Sequence, residues 1–174
     1  NEYLNSICKI PRFLNKYLEV PSLVRLKNIG YFCGMDYASK EVYDFRELIT
    51  RYDHSLTVAL LTWRFTHDKK ATIAGLFHDV ATPCFAHVID YMNKDYANQE
   101  STEEYTEEII KNDKELRRCL RIDKLKYSDI CDFKEFSIVD NKRPKLCADR
   151  YDGLILTGYN WTKSIELSDI LEFT

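Results

Sequence analysis

The sequence predicts an all-α fold, a bundle of helices in a single domain of 174 residues. Hydrophobic residues make up 45% of the chain, which is enough for a genuine core in one domain of this length. Only five glycines and four prolines occur, and this scarcity of helix-breaking residues favours helices over a turn-rich β fold. The third observation is an apolar-rich run over 52–67 without Gly or Pro, which predicts a buried helix.

In the N-terminal third of the chain, the sequence predicts short helical segments before this buried helix. Residues 3–18 predict short helical segments broken by Pro11. A helix is predicted over 21–34, because Pro21 is favourable at the first helical position. Gly30 and Gly34 would end this helix. Residues 41–50 predict a short helix or an irregular segment before the buried helix.

The rest of the chain predicts further helices, with one ambiguous stretch. A second core helix is expected over 69–79, where small residues allow close helix approach, followed by short helices over 84–93 and 113–121. Ser101 and Glu104 form a capping-box pattern that predicts a helix through about 112. The charged stretch 122–142 is mixed, with a short strand possible over 132–140. Pro144 predicts the start of a long helix that ends near Gly158, and 164–174 is an amphipathic, helix-like run.

Charge and cysteine content exclude several classes of protein. The net charge of −3 provides no general attraction to nucleic acid or anionic membranes, so local charges must attract any anionic substrate. No apolar segment reaches the roughly 18 residues of a membrane span. The six cysteines include no CxxC pair, which favours reduced, mostly buried thiols in a cytoplasmic protein. The first residue is not Met, and we expect the chain to be a piece of a longer one.

The pair His78–Asp79 is the most informative feature for function. Together with His54 from the preceding helix and Asp149 from a later one, it can supply two nitrogen and two oxygen ligands to a metal. Two imidazoles favour one divalent transition metal, Mn, Fe, Zn, Co or Ni, with Mg also possible. A second pair, His67–Asp68, ends a helix just before Lys69 and Lys70 and predicts a solvated helix end.

Four segments resemble a known family. Residues 50–58 (TRYDHSLTV), 73–87 (IAGLFHDVATPCFAH) and 148–152 (ADRYD), and more weakly 25–30 (RLKNIG), are similar to the motifs of HD-domain phosphohydrolases. They are most similar to the deoxynucleoside triphosphate triphosphohydrolases, of the dGTPase-like and sterile-alpha-motif/HD types. The resemblance implies an HD-domain helical bundle over 1–174, with its core at about 21–158 and the metal site between the core helices.

The resemblance also implies roles for individual residues. The metal ligands would be His54, His78, Asp79 and Asp149. Substrate contacts would come from Arg51 and Arg150 toward phosphate and from Asp152, which could instead support a metal ligand. Asp79 would also orient the attacking water. His87 would lie near the scissile phosphate as an acid or base, since imidazole titrates near neutral pH.

We therefore predict a metal-dependent phosphohydrolase that cleaves a phosphoester of a nucleotide, a (deoxy)nucleoside phosphate, and that can form a homo-oligomer. Other HD substrates, such as nucleoside monophosphates, remain open. A second alternative is a degenerate HD module that binds metal and nucleotide as a regulator. Ala81, Thr82 and Gln99 favour it, because the family commonly has Gly, His and a catalytic His near these positions. A nucleic-acid-binding domain lacks the required basic face.

Overall fold

The computed structural model describes residues 9–86, 88–94 and 103–173, and over these ranges it confirms the predicted all-α fold. The described chain contains no β-strand, only one isolated bridge between Gly30 and Thr50. Its eight α-helices are α1 (Pro21–Val24), α2 (Arg51–Thr66), α3 (Lys69–Phe77), α4 (Val88–Met92), α5 (Thr106–Asn112), α6 (Lys114–Ile122), α7 (Ala148–Leu156) and α8 (Leu167–Phe173). Short 3-10 turns connect several of them.

Helices α2 and α3 begin where side chains satisfy their first backbone N–H groups. Thr50 and Asp53 form a reciprocal capping box at the start of α2, a pattern of Thr followed three residues later by an acid. Asp68 accepts hydrogen bonds from the backbone of Lys70 and Ala71 and so caps α3. His67 ends α2 in the left-handed region with a φ of 53°, and both His67 and Asp68 are exposed. The expectation that this pair is a solvated helix end is confirmed.

The pair α2–α3 forms the centre of the core and brings two helix ends together. The two-residue connection makes the helices antiparallel, so the end of α3 lies beside the start of α2. Gly75 allows their close approach, because a Cβ there would lie 3.4 Å from both Val58 Cγ1 and Thr62 Oγ1. The fully buried side chains around this pair include Tyr17, Leu26, Leu60, Ile73, Leu76, Phe77, Leu120 and Leu156.

Helix α7 does not begin at Pro144, and that prediction is wrong. Pro144 follows a cis peptide bond in the preceding turn, and the helix starts at Ala148. Its first N–H groups donate to a neighbouring segment instead of to a local cap: Ala148 N to Ile138 O at 2.7 Å and Asp149 N to Val139 O at 3.3 Å. Tertiary hydrogen bonds therefore decide where this helix begins.

Helix α7 ends at Leu156, which agrees with the predicted end near Gly158. The chain continues through a π-helical turn, Thr157–Trp161. Ile165 packs directly against Gly158, where an added Cβ would lie 2.3 Å from Ile165 Cδ1. The glycine thus allows close packing of the returning chain.

Three other boundaries differ from the expectations. The helix over 21–34 is only α1, which passes into a 3-10 turn at Arg25–Asn28 before Gly30 pairs with Thr50. The possible strand over 132–140 is instead a 3-10 turn at Phe133–Glu135. Helix α5 begins at Thr106, and the capping-box residue Ser101 lies outside the described residues.

The described residues include five of the six cysteines, which were expected to be reduced and mostly buried. Cys33, Cys84, Cys119, Cys131 and Cys147 are free thiols, but only Cys119 and Cys147 are buried and Cys84 is exposed. The expected burial of most thiols is thus only partly met. No helix of the described chain has both the length and the apolar character needed to cross a membrane.

Asp123 joins the N-terminal segment to α3 and gives a first prediction. Its carboxylate accepts hydrogen bonds from Tyr17 Oη at 2.6 Å and Lys69 Nζ at 3.1 Å and lies 2.7 Å from Lys16 Nζ. Burial raises the pKa of Asp123, but these three donors outweigh it and hold the pKa below its usual value. We expect Asp123→Asn to lower the free energy of unfolding at pH 7 by about 1–3 kcal/mol, measured by urea denaturation.

The pH dependence of this loss has a defined sign. Because the folded-state pKa of Asp123 is lowered, its contribution is present above the unfolded value of about 3.9 and disappears as the pH falls below it. The difference between Asp123→Asn and wild type should therefore shrink from pH 7 to pH 3. Glu115→Gln, at an exposed pair with Arg118, is the matched control and should change little. A difference that grows at low pH would contradict the assignment.

Candidate metal centre

Three helix ends meet at one point of the bundle. His54 lies in the first turn of α2, His78 directly follows α3, and Asp149 lies in the first turn of α7. The two imidazole rings have centroids 5.2 Å apart. One potential ligand atom from each of these three residues lies within 4.8 Å of the other two. The structure thus brings together side chains that are 24 to 95 positions apart in sequence.

Asp79 completes the group of four predicted ligands. His54 Nε2 lies 3.0 Å from Asp149 Oδ1 and 3.7 Å from Asp79 Oδ2. His78 Nε2 lies 3.7 Å from Asp149 Oδ1 and 3.8 Å from Asp79 Oδ1. Both Nε2 atoms therefore face oxygen atoms from the same two carboxylates. This is the two-nitrogen, two-oxygen set that suits a first-row divalent metal.

The hydrogen bonding of His78 leaves one ring nitrogen free to bind a metal. Its Nδ1 donates to Gly75 O at 2.7 Å, which leaves Nε2 as the nitrogen with a free lone pair in the neutral ring. His78 is 5% exposed, and Nε2 has no hydrogen-bond partner in the described part of the chain. An unsatisfied buried nitrogen is costly unless something occupies it. A divalent cation would satisfy this atom, so the residues fit the ion.

Asp152 orients the second imidazole. Its carboxylate is fully buried and accepts from His54 Nδ1 at 2.6 Å, which directs His54 Nε2 toward Asp149. A carboxylate on the remote nitrogen of a histidine is the usual support of a metal ligand. Of the two roles expected for Asp152, a substrate contact or the support of a metal ligand, its contact with His54 favours the second.

The site concentrates negative charge around buried imidazoles. Burial lowers the pKa of His54, but hydrogen bonds to Asp149 and Asp152 outweigh it and raise that pKa to about 10. Burial raises the pKa of Asp79, but His78 and Arg51 outweigh it and hold that pKa below its usual range. Burial also raises the pKa of Asp149, but the two imidazoles outweigh burial and hold that pKa well below its usual value. The carboxylates are ionised, as metal ligation requires.

Arg51 lies deep in the site and pairs with Asp79. Its side chain is 7% exposed, and Nη1 donates to Asp79 Oδ2 at 2.9 Å. Arg51 Nε is buried without a hydrogen-bond partner among the described residues. The guanidinium thus fixes the Asp79 carboxylate.

A cleft of about 560 Å³ opens beside the cluster. Its wall includes Arg51, Asp149 and Arg150, so the structure brings both predicted phosphate-binding arginines to one cavity. The Arg150 guanidinium also donates to Lys145 O, Asn141 O and Asp140 Oδ1, which turns it toward the loop before α7. The expected acid or base, His87, lies outside the described residues.

Two residues near the centre were not singled out as site residues by the sequence reasoning. The Tyr31 ring lies 4.8 Å from the His54 ring and beneath the Arg51 guanidinium, at 4.9 Å. Burial raises the pKa of Tyr31 above its usual value. Arg25 Nη2 donates to Val80 O at 2.6 Å and to Thr82 O at 2.8 Å, which fixes the chain after His78–Asp79. Arg25 opens the segment 25–30, which resembles the family weakly, but no sequence signal marked it as a site residue, and Tyr31 had none.

Comparisons with known proteins agree with the geometry. The family model described as HD domain matches residues 51–134. The chain is 31% identical over 117 residues to the uncharacterized protein YdhJ of Bacillus subtilis (strain 168). That stretch is 65% of the chain and 34% of the relative, so the chain spans about a third of the relative's length. The family match covers His54, His78 and Asp79 and ends before Asp149, which joins the group through the fold.

Proposed function

We propose that this chain, whose residues 51–134 carry an HD domain, is a metal-dependent phosphohydrolase that cleaves a phosphoester of a nucleotide. The domain match supports the HD superfamily and its metal-dependent hydrolysis; the nucleotide substrate is our inference. The convergence of His54, His78 and Asp149, with the buried Nε2 of His78 left without a described partner, carries the proposal.

One divalent transition metal would be held by His54, His78, Asp79 and Asp149. When bound, the ion supplies Lewis-acid chemistry toward a phosphoryl oxygen. Asp152 holds His54 through its Nδ1, and Gly75 O holds His78 through its Nδ1, so both rings present Nε2 without reorganisation. Arg51 holds Asp79 in the same way through Oδ2. The ligand set is therefore preorganised by hydrogen bonds outside it.

Charges in the cleft favour an anionic substrate. Arg51, Lys145 and Arg150 line it, although the chain as a whole is acidic. Guanidinium groups match phosphate geometry through paired N–H donors. We infer that Arg51 and Arg150 contact substrate phosphate, and that His87 transfers a proton at the scissile oxygen.

The remaining wall of the cleft supports a nucleotide rather than a bare polyphosphate. Phe32, Met35, Leu146 and Leu154 line it together with the cationic residues. A cavity of about 560 Å³ lies in the range of pockets that enclose small organic ligands. Apolar and aromatic walls suit a base, while the cations suit its phosphate. By resemblance, the first candidates are (deoxy)nucleoside phosphates.

Metal analysis and a substrate panel test the proposal. Protein purified without chelator should contain about one transition metal per chain, measured by inductively coupled plasma mass spectrometry. With Mn²⁺, it should hydrolyse at least one member of a panel of dNTPs, nucleoside monophosphates and bis-para-nitrophenyl phosphate. EDTA should abolish this activity, and added Mn²⁺ should restore it. Bound metal without turnover would instead favour the regulatory module, and no metal after Mn²⁺ addition would refute both.

A further inference from the structure

Tyr31 connects the ligand helix α2 with the ligand helix α7. Its ring packs on His54 and Arg51, which lie three positions apart on one face of α2. At its other end, the hydroxyl lies over Gly153, where an added Cβ would be 2.9 Å from Tyr31 Oη. Gly153 is one helical turn after Asp149 and so lies on the same face of α7. The hydroxyl thus lies against α7 in the wall of the cleft, one helical turn from Asp149.

The Tyr31 hydroxyl is available to a ligand. Tyr31 lines the cleft together with Arg51, Asp149 and Gly153. Its Oη makes no hydrogen bond with any residue in the described ranges, and the Arg51 residue belongs to the same cleft wall. A phenol is protonated at neutral pH and can donate one hydrogen bond. An unused hydroxyl donor beside a cationic wall suits an anionic oxygen.

We propose that Tyr31 is a substrate-contacting residue whose hydroxyl donates a hydrogen bond to a phosphoryl oxygen of the ligand, next to the Arg51 guanidinium. Gly153 is the matching element on α7, because any side chain there would displace the hydroxyl. This proposal rests on the proposed function in one respect, since it requires a ligand that bears a phosphate. The contact would stabilise the bound phosphate whether or not the ligand is hydrolysed.

Removal of the hydroxyl alone provides the test. Tyr31→Phe keeps the ring that packs on His54 and Arg51, so metal content and the Kd for Mn²⁺ should not change. The Kd of the Mn²⁺-loaded protein for inorganic phosphate, measured by isothermal titration calorimetry, should rise by about tenfold, the usual effect of losing a hydrogen bond to a charged group. Tyr105→Phe, which removes a hydroxyl at an exposed position, is the matched control and should leave this Kd unchanged.

A double-mutant cycle separates direct contact from a general change in packing. Gly153→Ala should weaken phosphate binding in the wild-type background, because the new Cβ displaces the hydroxyl, but should add little in Tyr31→Phe. An unchanged Kd in Tyr31→Phe, additive effects of the two substitutions, or no phosphate binding by the loaded wild type would each overturn the proposal.

Parallel hydrolysis assays distinguish this proposal from the proposed function. Weaker phosphate binding by Tyr31→Phe in a protein that hydrolyses no substrate would support the contact and refute the enzyme. Hydrolysis by wild type with an identical phosphate Kd in Tyr31→Phe would support the enzyme and refute the contact.

Discussion

Replacement of His78 by asparagine is expected to abolish stoichiometric metal binding and to reduce phosphoester hydrolysis by about 10³-fold. The Nε2 of His78 is the buried ring nitrogen without a partner in the described structure, and the amide of asparagine cannot replace it as a strong nitrogen ligand. The size of the loss follows from the several kcal/mol that a catalytic metal contributes to transition-state stabilisation. Metal content by mass spectrometry and the initial rate with Mn²⁺ measure the two effects.

The chain contains its own control for this experiment. His67 also precedes an aspartate, but it is exposed and ends α2 with a φ of 53°. Asparagine tolerates that left-handed conformation, so His67→Asn removes an imidazole without backbone strain. It should retain full metal content and rate. Equal losses in the two variants would show that the metal is held elsewhere.

Replacement of Asp152 by asparagine is expected to weaken metal binding by about 10- to 100-fold, although Asp152 is not itself a predicted ligand. Its buried carboxylate fixes His54 by accepting from Nδ1 at 2.6 Å. A neutral amide weakens that bond and makes the imidazole a poorer ligand. Titration of the metal-free protein with Mn²⁺ would measure the Kd, and excess Mn²⁺ should restore much of the hydrolysis.

Rescue by excess metal distinguishes support of a ligand from contact with the substrate. Loss of a substrate contact would raise KM at every Mn²⁺ concentration and leave the Mn²⁺ Kd unchanged. Asp44→Asn, at an exposed pair with Lys163, is the matched control and should bind Mn²⁺ as wild type does. An unchanged Mn²⁺ Kd in Asp152→Asn would show that the His54 contact does not support the site.

The two core helices were predictable because their determinants are local. The apolar run over 52–67 specifies a buried helix by composition, and α2 is found at Arg51–Thr66. The sequence also distinguished the two His-Asp pairs. Both pairs follow core helices, but the last turn before His67 contains the polar residues Arg64 and Thr66, whereas the turn before His78 is apolar. His78 is accordingly buried and His67 exposed. In both cases the deciding physical quantity, the burial of a short segment, is encoded in adjacent residues.

Tertiary structure decided what depends on distant partners. Helix α7 begins at Ala148 because its first N–H groups donate to the backbone carbonyls of Ile138 and Val139. No local sequence pattern predicts that these carbonyls are the acceptors. Pro144, a favourable local start signal, is overridden by them.

Some features of the candidate site could likewise be predicted from the sequence, and others depend on the tertiary structure. The sequence by itself predicted an all-α fold, from its composition and its apolar runs, and, through the resemblance to HD-domain enzymes, four candidate metal ligands, of which the structure brings His54, His78 and Asp149 within reach of one ion. Only the tertiary structure assigned Asp152 to His54, Arg51 to Asp79, and Tyr31 to the wall between α2 and α7. A carboxylate or a guanidinium has many possible partners in a sequence, and the partner it keeps is selected by packing and by the cost of leaving a buried charge unpaired.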